Sequence, residues 1–283
     1  MRQRSAFFTR NGSPEEPGTR GRSRRLRAGV AISALAASLT LAGALLIAEP
    51  PAQAHASALM QRQRWMRLEP NVPYDGRFTF ARLRYAEYRG AGWAFDYPAM
   101  ERNLLTMVSE LTTLHPHVSG SNIHTMDDPE LMKYPVAYLS EPGYWIPNEA
   151  EVVGLRTYLA KGGFLIVDDF MLGEWENFER QMRRVLPSVN FHRLTGSEAI
   201  FDSFYHIESL EMKYPSRGWR DLDAEFFGIY ENDDPSKRMM VVINYNNDIG
   251  DYMEWSGEGF WPVNITNDAY KLAINYLIYG LTH

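Results

Sequence analysis

Apolar and polar residues alternate with two different periods from residue 78 onward. Residues 78–84 alternate one by one, which predicts a strand with one buried face. After Pro98 the apolar positions take a helical spacing that ends before Pro116. This stripe consists of Met100, Leu104, Met107, Val108 and Leu111. The pattern therefore predicts a strand followed by an amphipathic helix.

Buried strands and helices continue to alternate further along the chain. Three short apolar runs are typical of strands inside a parallel sheet, and a weaker candidate covers residues 118–126. The three runs are residues 134–140, 164–167 and 239–244. Three more segments have the spacing of helices, and they are residues 147–160, 174–186 and 267–281.

Residues 187–238 show no clear period, so we expect an irregular insertion with one or two short strands, one of them at 200–207. Outside this insertion, the order of elements predicts an open α/β sheet with helices on both faces. We expect a flavodoxin-like, doubly wound sheet of about five mainly parallel strands.

The first 54 residues differ from the rest of the chain. Eight Arg precede an uncharged apolar run at residues 30–47, and Ala52-Gln53-Ala54 is a small-x-small cleavage site. We interpret residues 1–54 as a signal peptide, which places the protein in the periplasm or cell envelope. The alternative is an uncleaved N-terminal membrane anchor, because 18 uncharged residues are close to the minimum for a spanning helix.

A Sec signal is favoured over a twin-arginine signal. Leu26-Arg27 follows Arg24-Arg25, where the twin-arginine motif requires an apolar pair. Residues 55–76 are polar and basic and are interpreted as an extended arm. Residues 77–283 then form a single α/β domain.

Charge and cysteine content exclude several functions. Residues 1–54 hold eight Arg and three Glu, which leaves 21 basic and 32 acidic residues and a net charge of −11 for residues 55–283. Such an acidic surface repels phosphate, so nucleic-acid binding is excluded, and contact with a membrane is expected only through residues 30–47 if the signal is uncleaved. The chain has no Cys, so it has neither disulfides nor a thiol nucleophile.

Residues 134–169 carry a family resemblance. The buried strand, the acidic helix start at 148–151 and the run from Gly162-Gly163 to Asp168-Asp169 resemble the bacterial family named domain of unknown function 4159. The resemblance extends over residues 78–283. It implies a class I glutamine amidotransferase-like fold, but such an amidotransferase requires Cys, so its glutaminase activity is excluded here.

Loops that follow the predicted strands hold aromatic, acidic and amide side chains. In an open α/β sheet, ligands bind outside the carboxyl ends of the strands. Aromatic faces beside carboxylates suit a sugar ring or a cation, and packing of the loops against one another is the alternative. The ligand-binding candidates are Trp93, Glu141, Trp145, Asp168, Asp169, Trp175, Asn244 and Asp248.

Asp168 and Asp169 stand together at a strand end and form the sharpest candidate pair. One of them can point into the crevice and bind a divalent cation or act as a base, while the alternative is that one caps a nearby loop or helix. His206 is a candidate to assist them. No phosphate-binding loop and no complete dinucleotide fingerprint is present, so no cofactor is expected.

The sequence therefore predicts an exported, non-catalytic binding domain for a small polar molecule, a glycan or an envelope protein. A hydrolase that acts on a saccharide or another polar substrate through Asp168 or Asp169 is the alternative. A scaffold that binds protein through residues 187–238 is the third hypothesis.

Overall fold

A computed structural model describes Leu68 and residues 70–86, 92–119, 121–214 and 222–283. The interpreted signal at 1–54 and most of the arm at 55–76 lie outside the described residues. No helix within these ranges combines the length and hydropathy needed to cross a bilayer.

Strands and helices alternate through this part of the chain. The strands are β1 (Ala81–Leu83), β2 (Asn122–His124), β3 (Val136–Ser140), β4 (Phe164–Asp168), β5 (His192–Arg193), β6 (Lys213–Tyr214), β7 (Leu222–Asp223), β8 (Glu225–Tyr230) and β9 (Met239–Tyr245). The helices are α1 (Ala99–Leu111), α2 (Glu149–Ala160), α3 (Glu174–Val185), α4 (Ile249–Glu254) and α5 (Val263–Thr282).

Seven strands form the main sheet, in the order β2-β1-β3-β4-β9-β8-β5. The first five are parallel, while β8 runs antiparallel to β9 and β5 antiparallel to β8. Strands β6 and β7 form a separate antiparallel pair. The carboxyl ends of β1, β3, β4 and β9 therefore meet at one edge of the sheet.

The sheet separates two hydrophobic cores because side chains on each strand alternate between its faces. Val136 and Tyr138 of β3 enter one core together with residues of α1, α4 and α5. Ala137 and Leu139 enter the other core together with residues of α2 and α3. Both faces are covered, which explains why β3 and β4 are buried along their whole lengths.

Helix α2 begins where the acidic residues at its start predict. Asn148 accepts a hydrogen bond from the Glu151 backbone N–H (3.0 Å), and Glu151 accepts one from the Asn148 backbone N–H (2.8 Å). This reciprocal cap satisfies two amides at the start of the helix. It fixes the chain direction directly after the loop that leaves β3.

The expectation for residues 187–238 is only partly met. The segment holds β5 and the six-residue strand β8, which bring the main sheet to seven strands rather than about five, and also β6 and β7, which form the separate pair. The predicted strand at 200–207 is wrong. A 3-10 turn at Ala199–Asp202 opens it, and Asn275 of α5 hydrogen-bonds the backbone of Phe204 and Tyr205 in place of a neighbouring strand.

Candidate functional site

Acidic side chains from three loops converge at the carboxyl ends of the parallel strands. Asp96 lies between β1 and α1, Asp169 directly follows β4, and the remaining three lie at or within α4 after β9. We call these five residues the acidic cluster: Asp96, Asp169, Asp248, Asp251 and Glu254.

The acidic cluster consists of two groups of three carboxylates. Oxygen atoms of Asp96, Asp169 and Asp248 lie within 4.8 Å of one another. Oxygen atoms of Asp96, Asp251 and Glu254 satisfy the same limit. Asp96 belongs to both groups, so it occupies the centre of the acidic cluster.

Asp168 lies next to the acidic cluster and supports it through hydrogen bonds, but it is not a member of the cluster. Its side chain has no exposed surface and accepts four hydrogen bonds, two on each oxygen. Asn244 Nδ2 (3.0 Å) and the Ile249 N–H (3.3 Å) donate to Oδ1, while Tyr138 OH (2.8 Å) and the Gly250 N–H (3.0 Å) donate to Oδ2. The carboxylate thus ties β3, β4 and β9 to the first turn of α4.

Asp248 caps α4, and Gly250 allows Asp96 to approach this helix. Asp248 Oδ1 accepts a hydrogen bond from the Asp251 N–H at 2.8 Å. A Cβ atom on Gly250 would lie 2.8 Å from Asp96 Oδ2 and 2.8 Å from Tyr138 OH. Only glycine leaves room for the Asp96 carboxylate at this point.

Arg82 holds the loop that carries Asp96. Its Nη1 donates to the backbone oxygens of Trp93 (2.6 Å) and Phe95 (2.7 Å), and its Nε donates to Glu101 of α1 (2.5 Å). Arg82 and Glu101 are both fully buried, and the charge of Glu101 raises the pKa of Arg82 against the effect of burial. The buried pair therefore couples β1, the Asp96 loop and α1.

Asp96 is the most constrained member of the acidic cluster. It is only 7% exposed, its φ is +61°, and its Oδ2 has no hydrogen-bond partner among the described residues. Asn247 Oδ1 is likewise buried and unpartnered within that part of the chain. Buried polar atoms without partners are uncommon and often mark an ion or water site.

Burial and mutual repulsion raise the pKa values of the clustered carboxyl groups. The pKa of Asp96 is raised well above its usual range by burial and by the charge of Asp251. Burial and the charge of Glu141 raise the pKa of Asp169. Burial and the charge of Asp169 raise the pKa of Asp248. A positive charge at the cluster would relieve this repulsion.

Glu141 stands beside the acidic cluster, directly after β3. Its φ is +45°, and its Oε2 accepts a hydrogen bond from the Gly92 N–H. Burial raises the pKa of Glu141 to about 8, and the charge of Glu174 adds to this effect. Ser140 Oγ donates to Asp169 Oδ2 at 3.2 Å and joins the loop after β3 to the loop after β4.

The chain belongs to the DUF4159 family. The family model, described as a domain of unknown function, matches residues 79–281. The matched region of this DUF4159 chain includes every member of the acidic cluster. A comparison with curated proteins finds no match.

The structure separates the sequence-predicted residues of this DUF4159 chain into two sets. Asp169, Asp248 and Glu141 lie at the edge where they were expected. Both carboxylate oxygens of Asp168 are engaged by its four hydrogen bonds. Asn244 donates one of these bonds, and its own side-chain oxygen accepts a separate hydrogen bond from Tyr276 OH (2.9 Å). These two residues support the site without facing it.

The three candidate tryptophans are buried to different degrees. Trp145 has no exposed surface and Trp93 is buried, so neither offers a face to a sugar ring. Trp175 is half-buried among other aromatic rings and donates to Glu179 Oε2 at 3.0 Å. His206 is exposed and pairs with Asp202 (3.1 Å) rather than with the acidic cluster.

Sequence reasoning did not select Asp96, Asp251 or Glu254. Asp248, Asp251 and Glu254 recur at every third position, a spacing that puts three carboxylates along one side of a short helix. This spacing is the sequence feature that could have identified Asp251 and Glu254 as site residues. Asp96 carried no comparable signal, because its position depends on Arg82 and on the absence of a side chain at Gly250.

Proposed function

We propose that the protein binds a divalent cation between Asp96, Asp169 and Asp248 and uses this cation to hold a neutral, polyhydroxylated ligand. The observation that carries the proposal is the buried, unpartnered Asp96 Oδ2 beside two further carboxylates. An unpaired buried carboxylate oxygen is costly, and direct coordination of a cation removes that cost.

The spacing of the three carboxylates suits a hard cation with oxygen ligands. Ca²⁺ binds oxygen at 2.3–2.6 Å, so opposite ligands of one ion lie about 4.6–5.2 Å apart. The oxygens of Asp96, Asp169 and Asp248 fall within 4.8 Å of one another. Ca²⁺ therefore fits within this limit, and the same limit admits Mg²⁺, which binds oxygen at about 2.0–2.1 Å, so both ions are tested.

Charge favours a neutral ligand at the occupied site. One divalent cation neutralises two of the three carboxylates, and the charges of Asp251 and Asp168 act on Asp96 and Asp248 in addition. Phosphate and carboxylate ligands are repelled by such a surrounding. Hydroxyl groups coordinate the cation without adding charge, and a glycan or a small polyol supplies several of them. Asp169 and Asp251 are half-buried and provide the side open to solvent.

The test is a calorimetric titration of the purified, chelator-treated protein with CaCl₂ and MgCl₂, followed by neutral oligosaccharides and by inorganic phosphate. We expect Ca²⁺ binding, with oligosaccharide binding only after Ca²⁺ and no binding of phosphate. Asp169→Asn should weaken Ca²⁺ at least about tenfold, while the exposed control Asp127→Asn should bind as the unaltered chain does. Equal Ca²⁺ affinity in both variants overturns the proposal.

A hydrolase acting on a saccharide or another polar substrate is a second candidate, and Glu141 is the observation in its favour. A carboxyl group with a pKa of about 8 is protonated at neutral pH and can donate that proton to a leaving oxygen. In this function Asp169 would help to hold the cation, which would supply a nucleophile by lowering the pKa of a water ligand. Glu141→Gln should abolish hydrolysis and leave Ca²⁺ affinity unchanged. If Glu141→Gln still hydrolyses the substrate, Glu141 takes no part in the reaction.

The wider setting of this function is also proposed. When the five parallel strands are numbered along the chain, their order is 2-1-3-4-5, which supports a flavodoxin-like or class I amidotransferase-like fold. The composition of residues 1–54 supports export to the periplasm or cell envelope. A glycan is one partner that the sequence predicts for such a location, and an envelope protein is the other.

A further inference from the structure

An aromatic segment, residues 255–261, directly follows α4. Three of its residues are aromatic and half-buried: Trp255, Phe260 and Trp261. Residues 257–259 between them are exposed, and no described atom lies within 4 Å of a Cβ built on Gly257 or Gly259. Large aromatic rings thus stand at the protein surface beside an open turn.

Contacts among the rings fix their arrangement. The rings of Trp255 and Phe260 lie 5.3 Å apart between centroids and are tilted by only 31°. Trp261 packs against the core and meets both Phe260 (4.9 Å, 90°) and Tyr252 (5.3 Å, 88°) edge to face. Trp255 and Phe260 are therefore nearly aligned and are supported by Trp261. We call these two residues the aromatic platform.

The aromatic platform is joined to the acidic cluster by one hydrogen bond. Trp255 Nε1 donates to Asp251 Oδ1 at 2.8 Å, and an oxygen of Asp251 lies within 4.8 Å of an Asp96 oxygen. The indole N–H points along the plane of the ring, so this bond fixes the orientation of Trp255 without covering its faces. Asp251 also belongs to the side of the acidic cluster that is open to solvent.

Sugar rings match this combination of groups. The C–H face of a sugar packs on an aromatic ring, while its hydroxyl groups reach polar partners at the edge of that ring. A cationic ligand also suits an aromatic face beside a carboxylate, but a divalent cation held at the acidic cluster would repel it. Trp93 and Trp145 are buried and cannot serve such a ligand, whereas the aromatic platform is half-buried.

We propose that Trp255 and Phe260 form a saccharide subsite, on which one sugar unit of a neutral oligosaccharide stacks while hydroxyl groups of a neighbouring unit bind the cation at the acidic cluster. This inference rests on the proposed function, since the cation and the ligand class are those proposed there. It assigns the aromatic contact of the ligand to the segment after α4.

The test is a calorimetric titration of the full-length protein, in saturating CaCl₂, with maltotriose, cellotriose and triacetylchitotriose, and with choline chloride as the opposing cationic probe. We expect at least one trisaccharide to bind, and Phe260→Leu to weaken it about three- to tenfold while Ca²⁺ affinity stays unchanged. Trp255→Leu should weaken it similarly, whereas Trp255→Phe, which keeps a flat ring, should recover most of the affinity. The matched control is Phe204→Leu, at an exposed phenylalanine beside Asn275 of α5, and it should bind as the unaltered chain does.

The outcomes separate this inference from the proposed function. Unchanged trisaccharide affinity in Phe260→Leu and Trp255→Leu overturns the subsite and leaves the proposed function standing. Trisaccharide binding that persists in a chelator and weakens in Phe260→Leu overturns the role of the cation and leaves the aromatic platform standing.

Three further results would overturn the subsite. The first is that no trisaccharide binds, which also overturns the glycan part of the proposed function. The second is that choline binds in place of the trisaccharides. The third is that Ca²⁺ affinity falls in Phe260→Leu as much as trisaccharide affinity does, because the ring would then act only by supporting the acidic cluster.

Discussion

At the scale of single residues, two adjacent aspartates have different tasks. Asp168 accepts four hydrogen bonds and has no exposed surface, whereas Asp169 accepts one from Ser140 and faces the acidic cluster. Asp168 is the last residue of β4, whereas Asp169 lies outside the strand and has a left-handed backbone, with a φ of +62°. Although they are adjacent in sequence, Asp168 is therefore a structural residue and Asp169 is a candidate cation ligand.

Replacing these two aspartates should separate stability from binding. Asp168→Asn removes the charge from four hydrogen bonds and points an amide N–H at a donor, so the free energy of unfolding should fall by about 3 kcal/mol. Asp169→Asn should change it by less than about 1 kcal/mol, because one weak hydrogen bond is lost and repulsion is relieved. Urea denaturation in the presence of a chelator measures both. Equal losses would contradict the division of tasks.

Gly250 provides a second prediction at this scale. In most helices, Gly→Ala stabilises by about 0.5–1 kcal/mol. Here the new methyl group would lie 2.8 Å from Asp96 Oδ2 and Tyr138 OH, so Gly250→Ala should instead destabilise by about 1–3 kcal/mol and weaken cation binding. Gly257→Ala is the matched control, since no atom lies within 4 Å of its Cβ position. Thermal unfolding and calorimetry follow the two variants, and a stabilised Gly250→Ala would show that Asp96 does not need this approach.

At the scale of elements, period and capping predict most of the fold. Helices α2 and α3 and strands β3, β4 and β9 lie within two residues of their predicted bounds, and α1 covers the predicted apolar stripe and ends at Leu111, before Pro116. Strand β8 was missed because its apolar residues face cores on both sides and Gly228 interrupts the run. Helix α4 was missed because it is six residues long and starts in an Asn- and Asp-rich segment that resembles a turn.

The location of the site at the carboxyl ends of the strands could be predicted from the sequence, but the residues that form it could not. Parallel strands bring their carboxyl ends together, so Asp169 and Asp248 were expected there from sequence. Whether a tryptophan covers that edge or fills a core depends on the packing of several elements, as the fully buried Trp145 shows. The place of Asp96 depends on Arg82, whose buried side chain hydrogen-bonds the loop that carries Asp96, and no sequence pattern reveals that contact.

The buried pair of Arg82 and Glu101 gives a prediction about these connections. Arg82→Met leaves Glu101 buried without a counterion and should cost about 3–5 kcal/mol of unfolding free energy. Adding Glu101→Gln should recover part of that loss. Cation affinity should stay low in the double variant, because Trp93 and Phe95 still lack the Nη1 donor that holds the Asp96 loop. Denaturation and calorimetry on both variants check this, and full recovery of affinity would show that Arg82 acts only through its charge pair.

At the scale of the whole molecule, the acidic cluster concentrates the charge of an already acidic chain. Residues 55–283 carry a net charge of −11, and six carboxylates of the candidate site lie close together within that total when Glu141 is included. The raised pKa values show that the fold holds these groups against their repulsion. A cation-free protein should therefore be sensitive to pH in a range where most proteins are not.

The direction of this pH dependence follows from the raised pKa values. Glu141 has a pKa of 4.5 when unperturbed and about 8 in the folded chain, so folding favours its protonated form. The stabilisation is complete below pH 4.5 and is lost as the pH rises to about 8; Asp96 and Asp248 act in the same direction. The melting temperature of the chelator-treated protein should thus fall steadily between pH 5 and pH 8. Ca²⁺ at about 100 times its dissociation constant should raise the free energy of unfolding by about 2.7 kcal/mol at pH 8. The increase should be smaller at pH 5, where protons compete with Ca²⁺ for the carboxylates. A melting temperature that is independent of pH without Ca²⁺, or an equal Ca²⁺ shift at both pH values, would mean that these carboxylates do not bind the ion.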